Sequence, residues 1–470
     1  MTQPKTYCNP LPLPDYQRGR ACFEKKPDPR RWLGCEPRDF REMADPTVIR
    51  FKDRWYLFPS AGMLWHSDDM VNWTYHPIEP HDPGYAPTVA EKDGWLYMTA
   101  CCDRMYRARN PFGPWELLGT LMDEKGNPTR WDDPMLFVDD DNSMYCTYGL
   151  GIDGIYIVKL KHDDPTRFDR PRVHCFPFNP DHIWERSGEH NQDPDKSYIE
   201  GSWLTKHNGR YYLQYSAPGT HFKNYSIGCY VADSPMGPYR YQARNPILTH
   251  KGGLVNGCAH HSMVEGPNGN LWCFYTTLVR IEHSFERRIG MDPAGFDSDG
   301  CMFVAGPTET PQLAPGITDS PELGNDAGLL PLSVNCLVTA SSEFPGRDAV
   351  YAADDCIRTW WEADGRAPQW LCADLDREYL VSAARTMFAD RGLDYEQGVL
   401  PGPYQYRIEG SKDGEKWNTL FDNSANETDR HIAYDTWPEA EVRYVRIIIL
   451  GAPQGMRIAL WEFTVFGRAG

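Results

Sequence analysis

A short pattern of turn residues followed by aromatic and apolar residues recurs along the first part of the chain. Five segments share it: residues 52–58, 93–98, 141–146, 208–213 and 268–273. The Asn-Gly and Asp-Gly pairs in several of them supply the positive φ that tight hairpin loops need, and aromatic runs favour buried strands. The pattern predicts five β-hairpins.

The spacing of these hairpins indicates an architecture. Their starts are 41 to 67 residues apart, which is about the length of a four-stranded propeller blade with loops of varying size. A second element that ends on an aromatic residue follows three of them, at residues 67–73, 108–115 and 232–239. We interpret it as the turn before an outer strand. The sequence therefore predicts an all-β protein that begins with a five-bladed β-propeller; a generic β-sandwich with accidental similarity is the alternative.

The repeated pattern stops near residue 305. Four prolines then punctuate an aperiodic stretch, and short alternating strands begin again near residue 332, for example at residues 369–375 and 442–450. Alternation over short strands is typical of a β-sandwich. We therefore expect a propeller over residues 1–305, a linker or packing segment over 306–331, and a β-sandwich over 332–470.

Composition fits this interpretation and excludes some partners. Aromatic residues make up 13% of the chain, and 40 Gly and 39 Pro suit many short strands and turns. A net charge of -18 argues against nucleic acid and against an anionic membrane surface. The sequence shows no apolar run long enough to span a membrane and no zinc-type spacing among its 14 cysteines, and its first ten residues have no basic segment followed by an apolar run, so we expect no targeting leader. These features favour reduced thiols and a cytoplasmic protein, although a secreted protein whose leader had been removed would look the same.

Three acidic residues stand before apolar segments of three different predicted blades. They are Asp45 in Ala44-Asp45-Pro46, Asp133 in Asp132-Asp133-Pro134, and Glu200 in Glu200-Gly201-Ser202-Trp203. Innermost propeller strands line a central axis, so one carboxylate from each blade would converge on one funnel. We also expect the prolines to hold Asp45 and Asp133 extended, since proline disfavours other conformations of the residue before it.

Three converging carboxyl groups suit glycoside hydrolysis. That reaction needs a carboxylic acid to protonate the leaving oxygen and a carboxylate to activate water on the opposite face of the sugar. A third acid raises the pKa of the general acid, because like charges disfavour ionisation. An Asp in the funnel would thus keep Glu200 protonated while Asp45 stays charged.

On these motifs, residues 8 to 305 resemble glycoside hydrolase family 43, whose members are five-bladed propellers that act with inversion on arabinosyl, xylosyl and some galactosyl linkages. The resemblance implies that Asp45 is the general base, Asp133 the pKa modulator and substrate orienter, and Glu200 the general acid. It implies a carbohydrate substrate and no cofactor for the chemistry.

The resemblance also implies further site residues. His260, in Gly257-Cys258-Ala259-His260-His261-Ser262, matches a histidine on the propeller axis that helps to hold a structural calcium or its waters; a histidine hydrogen-bonded in the core without metal is the alternative. Arg280, Arg287 and Arg288 offer the family's late-blade arginine, and we select Arg288, together with His260, for substrate binding. Trp65 is a candidate for stacking on the terminal sugar, with a core role equally open.

One departure limits the substrate assignment. Many family members have a Trp-Ala-Pro-Asp element where this chain has Tyr85-Ala86-Pro87-Thr88, so Tyr85 is expected at an altered sugar-binding surface. Exo-acting removal of terminal α-L-arabinofuranosyl residues from plant-type polysaccharide side chains or oligosaccharides is the first hypothesis. β-D-Xylosidase and β-D-galactofuranosidase activities are the alternatives. The insert that includes residues 182–190 is expected to wall the funnel into a pocket.

Residues 332 to 468 resemble the discoidin or coagulation-factor C-type sandwich, shared with carbohydrate-binding module family 32. The resemblance rests on framework segments such as Ala340-Ser341-Ser342, Thr359-Trp360-Trp361 and residues 411–417. It implies a carbohydrate-binding domain; a stabilising domain packed on the propeller is the alternative.

Two other classes of function stay open from the residues alone. A retaining fructan or sucrose hydrolase shares the architecture but would need an Asn-Asp-Pro-Asn-Gly element, which the segment Asn9-Pro10-Leu11-Pro12 is not. A non-catalytic glycan-binding propeller would have no need for all three acids, and a scaffold with interaction loops is the remaining alternative.

Overall fold

The structure is a computed structural model that describes residues 4–15, 39–78, 83–250, 252–279, 285–318 and 321–470. Within these ranges it contains 30 strands and three short 3-10 helices, at Ile183–Glu185, Pro321–Leu323 and Ala349–Ala352. The predicted all-β class is confirmed.

Twenty strands of the described chain form five four-stranded antiparallel sheets, each built from four consecutive strands. This confirms the five-bladed propeller. The blades are, in order, β2 (Thr47–Phe51), β3 (Arg54–Phe58), β4 (Trp65–Ser67) and β5 (Thr74–Tyr75); β6 (Thr88–Lys92), β7 (Trp95–Thr99), β8 (Arg104–Ala108) and β9 (Glu116–Thr120); β10 (Met135–Val138), β11 (Met144–Tyr148), β12 (Ile155–Lys159) and β13 (Val173–Phe176); β14 (Glu200–His207), β15 (Arg210–Ala217), β16 (Ser226–Ala232) and β17 (Arg240–Tyr241); β18 (Asn256–Glu265), β19 (Leu271–Leu278), β20 (Arg287–Phe296) and β21 (Met302–Val304).

The recurring sequence pattern corresponds to the turn between the first and second strands of each blade. Asp93 and Gly94 have φ values of 55° and 71°, and Asn208 and Gly209 have 48° and 76°. Positive φ at both loop residues is the type I′ geometry that matches the twist of paired strands. The second element, at residues 67–73, 108–115 and 232–239, lies before the outermost strand of its blade.

A β-sandwich follows the propeller. Its strands are β23 (Leu330–Pro331), β24 (Leu337–Ala340), β25 (Trp361–Glu362), β26 (Gln369–Phe388), β27 (Gln405–Ser411), β28 (Asn418–Asn423), β29 (Ile432–Gly451) and β30 (Ala459–Arg468). β26 and β29 pair along most of their length, with bulges between Asp374 and Tyr379 and near Val381. Bulges bend strands, so these two long strands take part in both layers around one apolar core.

The two ends of the chain's first domain are joined by a small sheet. β1 (Thr6–Tyr7) pairs with β22 (Gln312–Leu313), which lies after the last blade. Every cysteine within the described ranges is a free thiol. None of the helices in the described ranges is long and apolar enough to cross a membrane.

Candidate active site

The five blades present equivalent backbone positions to the funnel, at or just before the innermost strand. At each position one residue has a positive φ: Asp45 (56°), Ala86 (47°), Asp133 (48°), Gly201 (54°) and His260 (42°). Four of these are not glycine, and such outliers cluster at functional sites. The expectation that proline holds Asp45 and Asp133 extended is therefore wrong, because both are in the left-handed region.

The neighbouring blade holds these strained residues in place. In four of the five residues, the backbone N–H donates a hydrogen bond to a side chain from the preceding blade in the ring. This bond restrains the backbone at that position. The bonds are Asp45 to Thr276 Oγ1 (2.8 Å), Ala86 to Ser60 Oγ (2.9 Å), Asp133 to Cys101 Sγ (3.2 Å) and His260 to Ser216 Oγ (2.9 Å). The direction of each site side chain is thus fixed by contacts between blades.

Asp45 lies at the centre of the cluster and is almost fully buried. The hydroxyl of Ser60 donates to Asp45 Oδ2 at 2.8 Å, and Arg287 Nη1 donates to Asp45 Oδ1 at 3.1 Å. His260 Nδ1 lies 3.2 Å from the same Oδ1. Asp45 therefore has a guanidinium and a hydroxyl as hydrogen-bond donors, and an imidazole beside it.

Arg287 connects Asp45 to the rest of the site. It is 1% exposed, it contacts Glu42 and the hydroxyl of Tyr85, and its Nη1 donates to Thr220 Oγ1 at 2.8 Å. Burial alone would lower the pKa of Arg287, but Asp45, Tyr85 and Glu42 raise it well above its usual range. Arg287 is therefore a permanent cation that orders Asp45, Glu42 and Tyr85 around it.

Asp133 occupies the second carboxyl position. Its Oδ2 lies 3.6 Å from His260 Nδ1, and the Cys101 thiol donates to its Oδ1 at 3.2 Å. Burial raises the pKa of Asp133; His260 opposes this rise and Asp45 adds to it. His260 thus lies between the two aspartates, and the three groups form one electrostatic unit.

Glu200 has a different environment. Its Oε1 accepts a hydrogen bond of 2.8 Å from the hydroxyl of Tyr225, and its side chain is buried. Burial raises the pKa of Glu200 to about 8, with Asp133 and Asp45 acting in the same direction and the Tyr225 bond opposing them. Glu200 is therefore protonated at neutral pH, which is the state that a general acid requires.

The structure brings together most of the predicted site residues. Asp45, Asp133, Glu200, Tyr85 and His260 lie in one connected set of contacts or electrostatic interactions. Asp45, which pairs with Arg287, and Glu200, whose pKa is raised by burial, provide the two carboxyl groups that displacement of a glycosidic bond by water needs.

Two predicted residues lie elsewhere. Trp65 is fully buried in the first blade, where its Nε1 donates to Pro14 O at 2.7 Å and its ring packs on Tyr75, so neither face is open to a sugar. Arg288 is also fully buried, and its guanidinium contacts Arg41 O and His431 of the C-terminal domain. Side chains alternate along a strand, so Arg287, one residue earlier, points to the acids instead. Arg280 lies outside the described residues.

The sequence does not identify three residues of the site. Arg287 is one of three arginines that it offers for substrate binding, but two adjacent arginines do not show which one faces the funnel. Glu42 precedes Asp45 by three residues and had no motif of its own. Tyr225 follows the second strand of its blade in a loop, and no pattern in the sequence signals its contact with Glu200.

The donor set at His260 does not fit a dedicated calcium cage. Calcium prefers six to eight oxygen ligands. His260 offers nitrogen atoms, and the nearest carboxylates already contact Arg287, Ser60 and Cys101. Within the described ranges, no group of three or more His, Cys, Asp or Glu side chains is placed to hold a metal ion.

Comparisons with known proteins agree with this geometry. The sequence profile of the family described as glycosyl hydrolases family 43 matches residues 41–302, more than half of the chain, and the profile of the F5/8 type C domain matches residues 338–463.

Three curated relatives are similar to the first part of the chain. A β-xylosidase of Xylanibacter ruminicola is 27% identical over 242 residues, which cover 45% of this chain and 70% of that protein. An arabinoxylan arabinofuranohydrolase of Paenibacillus polymyxa is 29% identical over 290 residues, covering 49% of this chain and 44% of that protein. A xylosidase/arabinosidase 43A of Humicola insolens is 28% identical over 342 residues, covering 56% of this chain and 97% of that protein.

Proposed function

The chain belongs to glycosyl hydrolase family 43, and from that premise we propose that it is an inverting, exo-acting α-L-arabinofuranosidase. Its substrates would be plant-type polysaccharide side chains or oligosaccharides. The observation that carries the proposal is the contrast between Asp45, paired with Arg287, and Glu200, whose pKa is raised by burial.

The proposed reaction is a single displacement. Asp45 takes a proton from a water molecule while the water oxygen forms a bond to the anomeric carbon. The glycosidic bond breaks, and Glu200 gives its proton to the leaving oxygen. Asp133 adds negative charge beside Glu200 and near the positive sugar of the transition state. Proton exchange with solvent then restores both carboxyl groups, and no cofactor enters the sequence.

A cavity next to the segment that leads into Glu200 supports a site for the leaving group. It has a volume of about 470 Å³ and is lined by Tyr198, His221 and Phe222 and by residues of the insert such as Ser187 and Gln192. Tyr198 lies two residues before Glu200, and Thr220, next to His221, contacts Arg287. We therefore propose that the insert closes one side of the funnel, which favours attack at a chain end.

β-D-Xylosidase activity is the second candidate. The β-xylosidase name of one relative and the xylosidase/arabinosidase name of another favour it. A furanose and a pyranose differ in the contacts they make at the closed end of the pocket.

A bound calcium at His260 is not part of the proposed chemistry, and we expect hydrolysis to persist after treatment with a chelator.

One experiment tests both the reaction and the sugar. The protein is incubated with p-nitrophenyl α-L-arabinofuranoside, β-D-xyloside, β-D-galactofuranoside, α-L-arabinopyranoside and β-D-galactopyranoside, and proton NMR identifies the first anomer released. We expect the arabinofuranoside to be cleaved fastest, with inverted configuration. Retained configuration would contradict single displacement, and a faster xyloside would favour the second candidate.

A further inference from the structure

The C-terminal domain packs directly against the fifth blade of the propeller. Leu278 and Val279, at the end of β19, share one apolar cluster with buried side chains of the sandwich. The sandwich members include Trp360, Met387, Ile432 and Trp461. Removal of this much aromatic and aliphatic surface from water favours a fixed arrangement of the two domains.

A buried cluster of charges lies in the same interface. Arg41, which precedes the first blade, forms ion pairs with Asp390 at 2.6 Å and with Asp429 at 2.9 Å, and both aspartates belong to the sandwich. The three side chains are between 1% and 3% exposed. Asp390 also accepts a hydrogen bond from Tyr404 and lies 3.1 Å from His431 Nδ1. An arginine this buried depends on these carboxylates for compensation of its charge.

Arg41 is joined to the active site through the backbone. Arg288 Nη1 donates to Arg41 O at 2.8 Å, and Met43 N donates to Arg287 O at 3.2 Å. The segment between them carries Glu42, whose carboxylate contacts Arg287. Arg287 in turn contacts Asp45. Each link in this series joins neighbouring, buried groups.

We propose that the C-terminal domain is a positioning element of the active site. Asp390 and Asp429 fix Arg41, and the segment from Arg41 to Met43 then holds Glu42 against Arg287 and Arg287 against Asp45. This inference rests on the proposed function for the roles of Asp45 and Arg287. It assigns Asp390, Asp429 and Arg41 as positioning residues and leaves the glycan-binding role of the domain as a separate prediction.

The test is Asp429→Asn, compared with a matched control in the same domain. Asp435 is a buried aspartate that accepts a hydrogen bond from Tyr406 and has no part in the cluster around Arg41. Asp435→Asn therefore measures how much stability the sandwich loses when any buried carboxylate is replaced. Both variants are made in the full chain; kcat and KM are measured on the best nitrophenyl glycoside, together with the melting temperature.

We expect Asp429→Asn to lower kcat by about 10- to 100-fold, since small misplacements of reacting groups have effects of that size. KM should change little. The control should lower the melting temperature only. If Asp429→Asn lowers the melting temperature as the control does and leaves kcat unchanged, the proposal is overturned.

Two further measurements keep the test decisive. If Asp429→Asn does not fold, Arg41→Lys retains the charge but cannot bridge both aspartates, and the same loss of kcat is expected; an unchanged kcat overturns the proposal. Amide hydrogen exchange over residues 39–45 and 285–290 should be faster in Asp429→Asn than in the control. Hydrogen exchange needs no substrate. If the wild-type protein proves inactive, the proposed function is refuted, but the exchange rates still show whether the C-terminal domain holds these two segments in place.

Discussion

Arg287 Nη1 lies 3.1 Å from Asp45 Oδ1, and both side chains are almost completely removed from solvent. In such an environment a charge pair is screened weakly, so the attraction between the guanidinium and Asp45 is strong. Glu200, in contrast, receives its hydrogen bond from the neutral hydroxyl of Tyr225, and burial raises its pKa to about 8. The two carboxyl groups of the proposed reaction thus lie in different electrostatic environments.

Arg287→Lys should separate charge from geometry in this pair. A lysine keeps the positive charge but cannot contact Asp45, Glu42 and Thr220 together, because it lacks the planar fork of the guanidinium. We expect kcat/KM to fall by about 100-fold. Steady-state kinetics on a nitrophenyl glycoside measure this loss.

A control for this substitution lies in the sandwich. Arg443 pairs with Asp374 at 2.7 Å within the C-terminal domain, and Arg443→Lys should leave kcat/KM unchanged. An unchanged kcat/KM in Arg287→Lys would show that the planar guanidinium is not needed to order Asp45.

Tyr225→Phe tests the environment of Glu200. In the wild type, the raised pKa of Glu200 predicts that kcat/KM falls as the pH rises through about 8, because the general acid loses its proton there. The Tyr225 bond lowers this pKa. Its removal should therefore move the alkaline limb to higher pH, by less than about one unit. A shift to lower pH would contradict the assignment of the hydroxyl as a donor to the ionised carboxylate.

Glu200→Gln and Asp45→Asn should differ in their dependence on the leaving group. Without the general acid, we expect natural linkages to be cleaved about 1000-fold more slowly, whereas nitrophenyl glycosides keep part of their rate, because nitrophenolate leaves without protonation. Asp45→Asn should suppress both classes, since each needs an activated water. Rates on an arabino-oligosaccharide and on the nitrophenyl glycoside provide the comparison; equal losses in Glu200→Gln would remove Glu200 from the role of acid.

Local patterns in the sequence predicted the blades because each hairpin carries its own turn residues and strand residues. The five turns between first and second strands have the positive-φ residues or glycines that such turns require. Asp45 and Asp133 precede innermost strands as expected, and Glu200 is the first residue of one. Information of this kind is contained within about ten residues, so a single sequence suffices to find it.

Contacts between blades and between domains were not predictable in the same way. Asp45 meets Arg287 across 242 positions of sequence, and Arg288 meets His431 across 143. The choice between two adjacent arginines depends on which face of β20 is turned to the funnel, and the local sequence does not record this. The buried ring of Trp65 illustrates the same limit, since a core residue and a sugar-stacking residue have the same side chain.

Gly201→Ala tests whether the ring of His260 must remain where it is. An added Cβ at Gly201 would lie 2.9 Å from His260 Cγ, and the φ of 54° is unfavourable for alanine. Gly209, in a hairpin turn of the same blade, has a φ of 76° and open space around it, so Gly209→Ala carries the backbone strain without the clash.

Both variants should lose about 1–2 kcal/mol in the free energy of unfolding. Only Gly201→Ala should also lower kcat, by about tenfold or more, because the displaced imidazole no longer lies between Asp45 and Asp133. Denaturant unfolding and kcat on one substrate measure the two effects separately, and equal kcat values for the two variants would show that the position of His260 does not matter for the reaction.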